Sequence, residues 1–251
     1  MKALITGASS GIGYEIAKYL NELGHELILV ARSKEGLEKL QKELIGENRI
    51  IDLDLANEES CYELYKAVTD ERIDILINCA GFGVYGDFIY TDLDKELEMI
   101  DVNIKAVHIL TKLFLKDMQR RNSGYILNVA SLAAFQAGPL MASYYGTKAY
   151  VLRLTMAIYE ELRRSRSRVN ISVLCPGPVV TKFNEVANIN YAIKGMSSRY
   201  VARYAIDKML KKQLIIIPGI LMKLTYYVSK LIPLKLLLKI TYNIQLKKAK
   251  Q

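Results

Sequence analysis

The stretch SYYGTKAY, at 143–150, sets two phenols, Tyr144 and Tyr145, shortly before one amine, Lys148. Tyr144 precedes the lysine by four residues and Tyr145 by three, and on a helix either spacing makes neighbours of the two side chains. A free phenol titrates near pH ~10, too high for ready proton exchange at neutrality. A nearby ammonium favours the phenolate and lowers that value. Such a pair suits giving or taking a proton at a substrate oxygen. Both tyrosines fit, and tyrosine–lysine spacings of this kind also occur by chance, so the stretch alone does not choose between them.

A second signal lies at the start of the chain, in TGASSGIG at 6–13. Gly7, Gly11 and Gly13 allow a sharp turn between a strand and a helix. The turn brings the backbone N–H groups of a loop containing Ser9, Ser10 and Ile12 against a pyrophosphate, which then faces the positive end of the helix. Further on, where a site for NAD usually places an acid on the ribose 2′-hydroxyl, the chain reads Ala31, Arg32, Ser33. No carboxylate stands at that point to repel a 2′-phosphate, and a guanidinium is available to pair with one, which favours NADP(H).

These residues need elements to position them. Continuous β-branched or leucine-rich runs at 3–6, 26–31, 49–53, 73–78, 125–130, 170–175 and 214–217 read as strands buried on both faces. Between them lie helical patterns at 13–23, 34–44, 60–69, 93–121, 144–164 and 198–211. This alternation implies right-handed crossovers, a parallel doubly wound sheet of about seven strands and one α/β domain, with no repeat or linker.

The motifs and their order resemble the short-chain dehydrogenase/reductase superfamily. TGxxxGxG is matched by Thr6, Gly7, Gly11 and Gly13; NNAG appears as NCAG, at 78–81, with Cys79 in place of the second asparagine. DVN at 101–103, NVAS at 128–131, YxxxK and CPGPVVT at 175–181 follow in order, and the match spans about 1–220. The resemblance implies a Rossmann-like fold and selects the phenol. In the family it lies four residues before the lysine and usually thirteen after the serine, and Ser131 plus thirteen is Tyr144. Tyr145 then reads as a packing or substrate-facing aromatic. By the same resemblance Lys148 hydrogen-bonds the nicotinamide ribose, Ser131 donates to the substrate oxygen, and Asn103 orders a water linking Lys148 to solvent. Cys79, Ala80, Gly81, Pro176 and Gly177 fall in cofactor-binding motifs, and Val179 and Thr181 border the nicotinamide amide. Asp54 and Leu55 resemble the pair that contacts the adenine, with Asp52 a competing assignment. The segment 182–197 corresponds to a substrate lid. A homodimer or homotetramer is expected.

Composition limits the other classes. Half of the 251 residues are apolar and a quarter charged, as in ordinary folded proteins. Cys61, Cys79 and Cys175 have no metal-like or redox spacing and suit reduced thiols in the cytoplasm; the first residues form a strand-like run with no room for a signal peptide. No metal is expected. The net charge of +9 belongs to one segment: the stretch 208–251 holds ten lysines and no acid, and the rest carries 25 basic against 26 acidic residues. That distribution argues against a nucleic-acid binder. The catalytic domain is expected over 1–219 and a basic amphipathic helical extension over 220–251, broken by Pro233. The longest uncharged run of the basic stretch, 213–222, is too short to span a bilayer. The tail reads as an interfacial membrane helix pair, drawn to anionic lipid at about 1 kcal/mol per basic residue. The alternative is an apolar face covering the substrate pocket or a second subunit.

The leading reading is an NADP(H)-dependent carbonyl reductase or alcohol dehydrogenase. A non-catalytic NADP(H)-sensing protein of the same fold is the alternative, opposed by the complete Ser131, Tyr144 and Lys148 set. A sugar-nucleotide epimerase or dehydratase is opposed by the glycine spacing and the lack of a large C-terminal sugar domain.

Overall fold

The computed structural model describes residues 1–181, 183 and 195–247. Most of the expected lid, 182 and 184–194, and the last four residues lie outside the described residues. Strands β1 (Lys2–Thr6), β2 (Glu26–Ala31), β3 (Arg49–Asp52), β4 (Ile75–Asn78), β5 (Tyr125–Val129), β6 (Asn170–Leu174) and β9 (Ile215–Ile216) form one sheet. Its order is β3-β2-β1-β4-β5-β6-β9 and all its pairings are parallel. A second, two-stranded parallel pair joins β7 (Val179–Val180) to β8 (Met196–Ser197).

Alternation along each strand explains the continuous apolar runs. Ile5, Leu29, Ile77 and Leu127 point to one face, where they pack with α1 (Gly11–Glu22) and α7 (Ser198–Leu210). Leu4, Ile28, Leu76 and Ile126 point to the other, against α3 (Glu58–Ala67) and α5 (Val107–Arg120). Both faces are covered, so both sets of alternating positions are mostly apolar, and the polar ones among them need internal partners. The order reverses between β1 and β4, and parallel α/β sheets open a crevice at such a point, outside the carboxyl ends of the strands.

Local chemistry moves some expected boundaries. The helix expected from 60 starts at Glu58, because the Asn57 side chain accepts the Glu59 N–H at 3.0 Å. The continuous helix expected over 93–121 is three segments: α4 (Leu93–Ile100), a π-helical turn (Asp101–Ala106) and α5. The widened turn contains Asn103, whose carboxamide leaves the helix to hold Phe82 and Thr147. Such a turn shifts the apolar pattern by about one residue, too little in a short stretch to be read from sequence.

The sheet is tied to α6 (Ala142–Arg164) by polar groups at its centre. The Asn78 side-chain amide donates to Asn128 Oδ1 at 2.9 Å and to Thr111 Oγ1 at 3.0 Å. Asn128 in turn donates to Thr155 Oγ1 on α6 at 3.0 Å. All four side chains are buried, so each depends on the others for its partners. Replacing Asn128 strands groups on β4, α5 and α6 together. Asn128→Ala is therefore expected to lower the unfolding free energy by about 3 kcal/mol, read by urea denaturation, although it touches no candidate catalytic group.

Candidate functional site

One cavity of about 550 Å³ opens at the β1–β4 reversal. It is bordered by every residue expected to contact cofactor, from Gly7 to Thr181, and by Ser131, Tyr144 and Lys148. Asp54 and Leu55 line it, whereas Asp52 ends β3 and does not. Asn103 stands behind the wall.

The glycine loop is shaped by close approach. Gly7 and Gly11 have φ of +68° and +61°, a region that favours glycine. A Cβ on Gly7 would lie 2.8 Å from Ala80 N, and one on Gly13 would lie 2.4 Å from Gly7 O. Thr6 fixes the facing loop: its Oγ1 accepts the N–H groups of Cys79 and Ala80 at 3.0 and 3.1 Å. The N-terminus of α1 points into this cavity, and Ser10 makes no side-chain capping bond there. Uncapped N–H groups on bare glycine backbone fit the pyrophosphate of a dinucleotide.

At the other end Lys148 is buried, with Nζ donating to Val129 O at 3.1 Å and lying 5.8 Å from the Tyr144 ring centroid. Among the described residues no carboxylate pairs with it. Burial therefore pushes its ammonium down to about 8. Its thiol neighbours offer no counter-charge, since burial pushes Cys79 up to about 12 and Cys175 higher still. Tyr144 is buried too, its ring 5.4 Å from Phe183 and 6.2 Å from Tyr145. Ser131 follows β5 at the N-terminus of a short 3₁₀ turn (Leu132–Phe135); its Oγ accepts Ala133 N at 3.1 Å and donates a long bond to Pro176 O at 3.5 Å. It is thus a cap as well as a cavity residue.

Asn103 is fully buried and heavily used. Its amide donates to Phe82 O at 2.9 Å and Thr147 Oγ1 at 3.1 Å, and its Oδ1 accepts Phe82 N at 3.2 Å. It also lies beside Lys148: a Cβ on Gly81 would sit 2.6 Å from Asn103 Oδ1 and 3.2 Å from Lys148 Nζ.

Two arrangements differ from what the sequence suggests. Carboxylates do reach Arg32: Glu98 of α4 lies 2.6 Å from its guanidinium and Asp54 3.8 Å away. Glu98 is 66 residues distant in sequence, so reading along β2 could not find it. Ser33 accepts the Gly36 N–H at 3.1 Å and caps α2 (Lys34–Glu43).

The tail is two helices, α8 (Ile220–Ser229) and α9 (Leu234–Leu246), separated at Pro233 as expected. Their inner side walls the cavity with Met222, Thr225, Tyr226, Ser229 and Ile244. The Tyr226 ring lies 4.2 Å from that of Phe135. Gln245 donates to Tyr145 Oη, and its backbone carbonyl accepts from Tyr85 Oη at 3.0 Å. Tyr145 thus seats the tail, and burial pushes its phenol up to about 12, the opposite of what a proton donor needs. Phe82, Met141 and the tail residues escaped sequence reasoning because they carry no motif, only bulk.

The buried ammonium has a measurable cost. With its value pushed from 10.5 to about 8, the folded state releases this proton earlier than the unfolded chain. The penalty is whole below pH 8 and fades as pH rises towards 10.5. Lys148→Met is expected to be about 2 kcal/mol more stable at pH 7, after allowance for the lost bond to Val129 O. The difference should shrink across that window, followed by denaturation at several pH values.

The chain matches the family model described as short chain dehydrogenase over residues 1–192. An uncharacterized oxidoreductase of Staphylococcus epidermidis is 32% identical over 185 residues, covering 73% of this chain and 80% of the relative. Among solved structures, a short-chain dehydrogenase from Sphingobium yanoikuyae in complex with NADPH superposes with a TM-score of 0.83 at 27% identity, covering 91% of this chain and 92% of that one. An alcohol dehydrogenase from Comamonas testosteroni, specific for bulky-bulky ketones, gives 0.79 at 26% identity, with 92% and 91% covered. The chain belongs to the short-chain dehydrogenase family of oxidoreductases.

Proposed function

We propose that the protein is an NADP(H)-dependent reductase or dehydrogenase that interconverts a carbonyl compound and a secondary alcohol. The observation that carries this reading is the buried Lys148 ammonium beside the Tyr144 ring at the cavity edge, with Ser131 on the same cavity. Tyr144 gives its phenolic proton to the substrate oxygen in reduction and takes it back in oxidation. Lys148 favours the phenolate that remains, strongly so because the site is dry. Ser131 exchanges its long bond to Pro176 O for one to the substrate oxygen as charge develops there. The nicotinamide, when bound, supplies or accepts the hydride. Asn103 acts by position, holding the Phe82 backbone and the hydroxyl of Thr147, the residue before Lys148; the second lone pair of Oδ1 is the acceptor through which a water relay would run.

Arg32 is the proposed 2′-phosphate partner. To serve, its guanidinium has to turn from Glu98, an exchange of one exposed charge-assisted bond for another of greater charge. The relative from Sphingobium yanoikuyae, in complex with NADPH, supports the same choice. The substrate end, walled by Phe82, Met141, Tyr145, Met222 and Tyr226, suits a lipophilic carbonyl of appreciable size, in line with the bulky ketones of the Comamonas testosteroni enzyme. Three free cysteines accord with a cytoplasmic protein, and a homodimer or homotetramer is the expected assembly.

Tyr144→Phe is expected to lower NADPH-dependent ketone reduction by about 10³-fold while NADPH affinity, read by nucleotide fluorescence, stays within about twofold. Turnover retained in that variant would remove the mechanism. Arg32→Ala is expected to weaken NADPH binding by roughly 10- to 100-fold and leave NADH binding unchanged. Glu98→Gln, freeing the guanidinium, should shift the same titration towards tighter NADPH.

A further inference from the structure

The two tail helices are built inside out. In α9 the buried side chains are polar, Thr241 and Gln245, whereas Leu234, Leu236, Ile240 and Leu246 are exposed. In α8 nothing is fully buried; Met222, Tyr226 and Ser229 turn to the cavity, and Ile220, Leu224 and Tyr227 form a stripe on the opposite side at helical spacing, with exposed Leu231 in the turn that follows. Ile220 and Leu231 are 88% and 85% exposed. An apolar residue standing alone on a surface is ordinary, but a contiguous run of this size marks a partner.

Charge identifies the partner. The stretch 220–251 carries seven lysines and no acid. Lys230 Nζ lies over the Tyr226 ring at 4.2 Å and Lys223 Nζ over the Tyr204 ring at 5.7 Å, so both cations rest against aromatic faces at the tail surface. A second copy meeting this face through the same face would bring two such cationic surfaces together with no carboxylate to relieve them. A fluid apolar layer beneath an anionic headgroup plane satisfies both features at once. No helix among the described residues is long and apolar enough to cross a membrane, so the contact is with the surface.

We propose that the outward face of α8 and α9 docks on an anionic lipid bilayer. The inner faces of these helices are also a wall of the substrate cavity, and Ile244 is both exposed and part of that wall. Docking therefore places the tail side of the cavity at the lipid surface, where a lipophilic carbonyl would be concentrated. The docking itself stands on the tail alone; only this consequence rests on the proposed carbonyl chemistry.

The test is co-sedimentation of the full chain with vesicles of phosphatidylcholine alone or mixed with phosphatidylglycerol, a readout that needs no turnover. The chain is expected to bind the anionic vesicles at least about tenfold better than the neutral ones, and to lose most of that preference in about 1 M salt. Leu224→Glu with Leu231→Glu, both exposed and off the cavity, should abolish sedimentation while NADPH binding persists. Lys235→Glu with Lys239→Glu should weaken it at least about tenfold. Tyr144→Phe should bind vesicles as the parent chain does, which separates failure of this proposal from failure of the catalytic one. Equal binding to both vesicle types, no binding at low salt, or a dimer dispersed by the two leucine substitutions would overturn it. The salt series on the parent chain decides even if the substituted chains fold poorly.

Discussion

The site depends on a buried cation with no carboxylate paired to it among the described residues. Lys148 sits inside the protein with a backbone carbonyl and the face of a tyrosine ring for company. A carboxylate beside it would raise its proton affinity and make its charge secure, but would also neutralise its field at the phenol. The Val129 carbonyl holds the amine without that cancellation. The arrangement is tolerable because the rest of the core is well made: the sheet is covered on both faces and its central strands are cross-linked by Asn78, Asn128 and Thr155. Stability is given up at one residue in a frame that can bear it.

The cavity's two ends are built on different principles. At the glycine-loop end the groups presented to the cavity are backbone, exposed by glycines whose Cβ atoms would collide with Ala80 and with the loop itself. Such a surface recognises phosphate by N–H direction and the helix terminus and tolerates little change. At the substrate end the walls are side chains, many of them large and flexible, and one wall is the tail. Met222 reaches Gly177 so closely that a Cβ there would lie 2.5 Å from its sulfur. The PG motif and the tail are therefore fitted to one another, and the tail is part of the site's shape as well as a surface feature.

Arg32 shows how a short-range rule can be right about a strand and incomplete about a site. The end of β2 carries no acid, but α4 brings Glu98 to the guanidinium across 66 residues of chain. Under the proposed function, choice of nucleotide becomes a competition between a protein carboxylate and a ligand phosphate for one cation. Charge-assisted bonds at exposed positions are easily exchanged, which is what that proposal requires of Arg32.

What the sequence alone determined is whatever rests on local repetition. Apolar runs and helical spacing gave the parallel α/β sheet, and the ordered motifs gave the family and the residues that border the cavity. The break at Pro233 was legible because proline lacks the N–H a helix interior needs. Only the tertiary structure decided the π-helical turn at Asn103, the carboxylates at Arg32, the seat of the tail on Tyr145 and the direction in which its leucines point. Each of these is a meeting of groups far apart in the chain or a small change of register within a helix. The first leaves no trace in hydrophobic periodicity and the second shifts it by only about one residue, and that periodicity is the signal a sequence carries most plainly.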